Sequence, residues 1–141
     1  MAVDRDRRPF TAVSPASPIV VVAAVIERDD KFLLTLRPVG THLEGCWEFP
    51  GGKCLPSESH VEALRRELHE ELDILGHVGA CLHRVMHSYP DQTVELYFYE
   101  CEFEGEPKPM IGQQMEWVSR VDLGRLSFPE ADAQLIAMLT G

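Results

Sequence analysis

The chain has 141 residues, with 13 Lys+Arg against 23 Asp+Glu for a formal net charge of −10. That length suits one domain and leaves no room for a second catalytic one. Hydrophobic residues at 45% and charged residues at 26% exclude collagenous, fibrous and disordered classes, and the negative field disfavours DNA, RNA or anionic lipid surfaces as partners.

Residues 4–8 form a charged cluster, and Pro9, Pro15 and Pro18 stand among small residues. Residues 1–18 are therefore expected to be a flexible leader, followed by a single domain over 19–141. The longest strongly apolar run, residues 19–26, has eight residues, well short of the ~20 that cross a bilayer. No charged-apolar-small signal pattern opens the chain, so the expected location is the cytoplasm. The Val, Ile and Ala content of residues 19–27 suits a strand buried on both faces. Arg28-Asp29-Asp30 is a polar turn into a second strand, 31–36. After a loose stretch around Pro38 and Gly40, Trp47-Glu48-Phe49 alternates as a short strand and runs into Pro50-Gly51-Gly52, a breaker.

A helix follows. Ser59 with Glu62 three residues on makes a capping box, and Val61, Leu64, Leu68 and Leu72 recur as one apolar stripe. Strands are expected at about 79–88 and 93–103 around a Tyr89-Pro90-Asp91-Gln92 turn, and at 115–118, with a closing helix over 130–139 behind Pro129. Strands flanking helices without regular alternation indicate a mixed-sheet α/β or α+β sandwich. Cys46, Cys54, Cys81 and Cys101 form no C-x-x-C pair and are expected to be reduced structural thiols. His60, His69, His77, His83 and His87 have no metal-ligand spacing, and Trp47 and Trp117 suit the core better than a base-stacking platform.

On the first helix Glu67, Glu70 and Glu71 stand at i, i+3 and i+4, three carboxylates on one face beside the leucine stripe. Like charges so placed repel by a few tenths of a kcal/mol per pair unless neutralised. Arg66 reaches only part of the cluster. Converging oxygen ligands suit Mg2+ or Mn2+, and in so acidic a chain a phosphate-bearing ligand needs such a cation. The plain alternative is a solvated acidic face.

From Gly52 the chain reads five residues, Glu58, seven residues, then Arg66-Glu67-Leu68-His69-Glu70-Glu71-Leu72-Asp73-Ile74. This resembles the Nudix box, G-x5-E-x7-R-E-U-x-E-E-x-G-U, at every defined position except Asp73, where glycine is usual. Aspartate can take the same left-handed helix cap at modest cost, so the departure touches the helix end rather than the metal site. The segments Trp47-Glu48-Phe49-Pro50-Gly51-Gly52-Lys53, Glu104-Gly105-Glu106-Pro107, Glu116-Trp117 and Phe128-Pro129 are similar to the MutT-like branch. That branch comprises nucleoside-triphosphate pyrophosphohydrolases, among them oxidised-nucleotide sanitisers and CTP pyrophosphohydrolase. The resemblance covers about residues 19–140 and implies an α/β/α sandwich around a central mixed sheet, the box forming loop-helix-loop.

The resemblance implies metal ligation by Glu67, Glu70, Glu71 and the Gly51 carbonyl. It also implies water attack at the β-phosphorus, giving a nucleoside monophosphate and pyrophosphate. Relatives take the proton on a box glutamate or on an acid in the loop before the Glu-Trp pair. The matching loop position here is Ile111, which leaves Glu67 as the base, with Glu116 as a weaker candidate. Arg66 is expected to order the carboxylates, and Glu58 to pair with it or bind metal weakly. Lys53 is placed to contact phosphates, and Arg37 matches an arginine that relatives set against the nucleotide; each is otherwise a surface cation. His42 falls where a relative has histidine, without a role the residues supply. Asp132 falls where the oxidised-guanine sanitiser reads the base with asparagine. Ionised aspartate only accepts, which favours a base with an exocyclic amine, cytosine or damaged adenine, while a protonated Asp132 could read oxidised guanine. The alternative is a carboxylate favoured at a helix start.

The expected partner is a small nucleotide, with no nucleic-acid polymer and no membrane, and the protein a monomer or homodimer. Two other functions stay open: hydrolysis of ADP-ribose or a dinucleoside polyphosphate, and a non-catalytic binding module.

Overall fold

The computed structural model describes residues 18–141, so the expected leader lies outside the described residues except for Pro18. In chain order the elements are β1 (Ile19–Val25), β2 (Glu27–Arg28), β3 (Lys31–Leu36), β4 (Trp47–Glu48), β5 (Gly51–Lys53), α1 (His60–Leu72), β6 (Leu75–Tyr89), β7 (Gln92–Glu104), β8 (Met115–Ser119), two 3-10 turns (Arg120–Arg125 and Glu130–Asp132) and α2 (Ala133–Thr140). Among the described residues no helix is long and apolar enough to cross a membrane.

β1 is central because its side chains are apolar in both directions. It pairs parallel with β7 and antiparallel with β5, and β6 closes the sheet on β7, giving a mixed order β5-β1-β7-β6. A second, antiparallel sheet places β3 between β2, β4 and β8. Alternation along β1 splits the core in two. Val22, Ala24 and Ile26 pack with Ala63, Leu64, Leu68 and Leu72 of α1, whereas Ala23 and Val25 pack with Phe32, Phe49, Phe98 and Leu135. Helices thus cover both sides of the sheets, the α/β/α sandwich that the sequence implied.

Local chemistry explains most element ends. Asp29 and Asp30 have φ of 55° and 62°, the two left-handed residues that a two-residue hairpin loop demands. α1 opens on the capping box, with Glu62 N donating to Ser59 Oγ at 3.1 Å and Ser59 N to Glu62 Oε1 at 2.9 Å. It closes on Asp73, left-handed at φ 57° and ψ 39°. Leu64, Leu68 and Leu72 are fully buried, each contributing about 1.5–3 kcal/mol to docking the helix. Val61 departs from the expected stripe: it lies in the first turn and is exposed, the buried set beginning at Ala63 and Leu64.

Two other expectations change. Pro50-Gly51-Gly52 does not end the sheet, because residues 51–53 form β5 against β1. A Cβ on Gly51 would lie 2.0 Å from the Val22 carbonyl oxygen, so this close pairing requires glycine. β6 starts at Leu75 rather than 79, since register shifts around Cys81 interrupt the alternation that locates strands in sequence. The expected closing helix divides into a 3-10 turn and α2, with Asp132 at the junction.

Candidate active site

The capping box and the leucine stripe fix the rotation of α1, and with it the direction of the box acids. Arg66 organises them. Its Nε and Nη2 donate to both Glu58 oxygens at 2.6 and 2.9 Å, a two-pronged pair whose planar geometry only arginine offers. Nη1 donates to Glu67 at 3.1 Å and Glu70 at 3.3 Å, and Nη2 also reaches the Lys53 carbonyl at 3.0 Å. The Arg66 hydrogen bonds and the Leu55 amide hold the Glu58 carboxyl down at about 2. Both Glu58 oxygens are therefore engaged, which makes it the partner of Arg66.

One guanidinium thus meets three carboxyls, and Glu71 lies outside its reach. Glu71, half-buried, hydrogen-bonds to Glu67, and its pKa is held well above the ordinary range, first by burial, then by that hydrogen bond and the Glu67 charge. Two carboxyls in such contact cannot both ionise without a proton or a cation between them. Gly52 cradles this pair: a Cβ there would come within 2.4 Å of Glu67 Oε2. Among the described residues no three acidic, histidine or cysteine side chains already converge as a ligand set, since Arg66 draws Glu67 and Glu70 toward itself. The donor chemistry still fits a hard divalent cation, with crowded carboxylate oxygens on one helix face beside the Gly51 carbonyl.

Gly51 and Gly52 also line a cleft of about 320 Å³ that runs between the sheets to Asp132. Its walls include Arg37, His42, Glu48, Lys53, Tyr89 and Phe98. All three expected substrate-binding residues, Arg37, Lys53 and Asp132, are among the lining, with the Lys53 side chain exposed. Arg37 follows β3; its Nε donates to the His42 carbonyl at 2.9 Å and its Nη1 lies 3.5 Å from Glu48. Asp132 is only 4% exposed and its carboxyl makes no hydrogen bond among the described residues. Burial, and then the Glu48 charge, push its pKa up to about 7.

Glu116 sits apart, exposed on β8 opposite Leu34 and outside the cleft lining. Ile111 is 64% exposed in the loop before β8. That loop is held to the end of α1 by three residues: Met110 N and Gln113 Nε2 each donate to the Glu71 carbonyl at 3.0 Å, and Lys108 N donates to the Leu72 carbonyl at 3.0 Å. Gln113 and Glu48 are site residues that sequence reasoning did not single out. Glu48 had a signal, a charge in a short aromatic strand just before the glycine pair; Gln113, in a loop without periodicity, had none.

The NUDIX domain family matches residues 21–138. The chain is 33% identical over 121 residues to an 8-oxo-dGTP diphosphatase of Escherichia coli, covering 85% of this chain and 94% of that protein. It is 38% identical over 118 residues to a CTP pyrophosphohydrolase of the same organism, covering 83% and 86%. A crystal structure of a MutT NUDIX hydrolase from Burkholderia pseudomallei superposes with a TM-score of 0.74 at 30% identity, covering 87% of this chain and 97% of that one. With its box on a capped helix over a mixed sheet and relatives matched along nearly their whole length, the chain belongs to the Nudix hydrolase family, in its MutT-like branch.

Proposed function

We propose that the protein hydrolyses nucleoside triphosphates to the monophosphate and pyrophosphate, using Mg2+ or Mn2+, and that Asp132 selects the base. The observation that carries this reading is a single continuous cleft. One end abuts crowded carboxylates that suit a cation, and the other presents a buried carboxyl with no hydrogen-bond partner among the described residues. The relatives' activities as 8-oxo-dGTP diphosphatase and CTP pyrophosphohydrolase agree with it.

Glu67, Glu70, Glu71 and the Gly51 carbonyl would hold the metal, with Glu58 holding Arg66. Bound there, a divalent cation neutralises phosphate oxygens and eases the ionisation of water. Glu67 takes the proton of the attacking water at its carboxylate, a role that exposed Glu116 is poorly placed to share. Arg66 keeps Glu67 and Glu70 aimed, which is why a rigid fork stands there. Lys53 and Arg37 offer positive charge to the phosphate chain along the cleft.

Asp132 in its ionised form only accepts hydrogen bonds, so it suits an exocyclic amine, N4 of cytosine or N6 of a damaged adenine. With a pKa lifted to about 7, its protonated form can also donate to an oxidised guanine, and this second reading is favoured below neutrality. The test is pyrophosphate release with Mg2+ from CTP, dCTP, 2-hydroxy-dATP and 8-oxo-dGTP, with ADP-ribose and Glu70→Gln as controls. Turnover of a triphosphate, reduced at least about 100-fold in Glu70→Gln, is expected. Turnover of ADP-ribose alone, or orthophosphate as the first product, refutes the reading. Binding without turnover would make the protein a binding module.

A further inference from the structure

Tyr89 ends β6 and shares the cleft wall with Ala131 and Asp132. Its Oη accepts a hydrogen bond from the Ala131 amide at 3.2 Å. A phenol has one proton to give besides the lone pairs it offers, and among the described residues that proton has no acceptor. The ring is held on two sides: the His42 ring lies edge-on at 5.2 Å, and the His87 ring lies tilted at 4.5 Å. His42 Nδ1 is in turn 3.1 Å from Asp91 Oδ2, in the turn that follows Tyr89. The hydroxyl is thus fixed before any ligand arrives, and a donor fixed in advance loses little entropy on binding.

We propose that Tyr89 is a second base-reading residue, its hydroxyl donating to the ring acceptor next to the amine that Asp132 accepts. Resting on the reading of Asp132 above, this assigns the cleft a paired acceptor and donor, the two halves that one asparagine would otherwise supply. On cytosine the matched atoms are the N4 amine and N3; on adenine they are the N6 amine and N1. The pair explains how a site whose carboxylate, when ionised, only accepts would still recognise a two-atom edge. A structural role alone, in which the hydroxyl only anchors the turn bearing Asp132, predicts something different.

Atom-edited ligands separate the two. Wild type and Tyr89→Phe, which keeps the ring and its packing, are compared on CTP against 3-deaza-CTP and on ATP against 1-deaza-ATP. Calorimetric binding of the four corresponding monophosphates is measured in parallel. For the preferred base, the loss of one hydrogen bond should lower kcat/KM roughly 3- to 10-fold in Tyr89→Phe, carried by KM. The deaza partner, which has no ring acceptor, should show no further loss. An equal loss on both ligands overturns the assignment in favour of a structural anchor, and no loss on either overturns it outright. If wild type binds the monophosphates but hydrolyses no triphosphate, the proposed function fails while the binding ratios still decide Tyr89. If it binds none of the four, the Tyr89 assignment fails as well.

Discussion

Replacing Asp132 with asparagine should stabilise the protein at pH 8 and do the opposite near pH 4. The carboxyl is 4% exposed and titrates at about 7 instead of the ordinary 3.8. An acid whose folded pKa is raised holds its proton more tightly in the folded chain than in the unfolded one. Its ionisation therefore costs nothing well below the unfolded pKa, and the cost grows as pH rises, levelling off above about 7. A difference of about 3 in pKa, at about 1.4 kcal/mol each, amounts to about 4 kcal/mol at pH 8 and under about 1 kcal/mol at pH 4. A buried asparagine amide at the same place costs about 1–2 kcal/mol at either pH. The variant should then be about 2–3 kcal/mol more stable than wild type at pH 8 and slightly less stable at pH 4. Urea unfolding at the two pH values, with equal m-values as the check on two-state behaviour, measures this. A difference between variant and wild type that is the same at both pH values would refute the account of Asp132 as a buried acid kept for function at the expense of stability.

The glycine pair should separate stability from chemistry. Gly51→Ala drives a Cβ into the backbone of β1 and should remove on the order of 3 kcal/mol or more of unfolding free energy in denaturant titration. Gly52→Ala meets only the movable end of Glu67, so the melting temperature should stay within a few degrees while kcat/KM for the best substrate drops roughly 100-fold. Arg66→Lys cannot grip both Glu58 oxygens. The Glu58 carboxyl, held at about 2 by that grip, should titrate at higher pH when followed by carboxyl-carbon NMR, and kcat should fall about tenfold or more. Because burial and Glu67 hold the Glu71 proton, Glu71→Gln without metal should gain stability over wild type as pH rises from about 4.5, levelling off above about 9. Mg2+ is expected to raise the melting temperature of wild type but not of Glu71→Gln, both read by thermal melts with and without chelator.

What sequence could and could not reveal divides along physical lines. Features set by local chemistry were legible: the Ser59/Glu62 cap, the Leu64, Leu68 and Leu72 stripe, the turn at Asp29 and Asp30, and the left-handed Asp73 each depend on residues within one or two turns. The box acids were legible for the same reason, since helical spacing alone puts them on one face. β5 was not, because its glycines read as a breaker until the strand they must touch is known; the constraint is a contact between residues 22 and 51. The same holds for Glu48, Gln113 and Tyr89. Each acts through a partner distant in sequence, Arg37 11 residues away, the Glu71 carbonyl 42 away and the Ala131 amide 42 away, and no periodicity records such pairs.

Glu48 shows why the two ends of the cleft cannot be treated as independent. It is half-buried on β4, its pKa raised by burial and opposed by its Arg37 partner, with a further upward push from Glu67. The same carboxylate lifts Asp132 at the recognition end and, more weakly, Glu71 at the acid end. Repulsion across a low-dielectric wall is mutual, so a positive charge arriving at the Glu67 and Glu71 end would favour the ionised form of Glu48, and the fuller Glu48 charge would in turn hold the proton on Asp132. An acidic site with few cations of its own thus ties its choice of base to the charge state of its hydrolytic end. Arg37 meets that balance directly, since it hydrogen-bonds to Glu48 and to the carbonyl of His42 in the cleft wall.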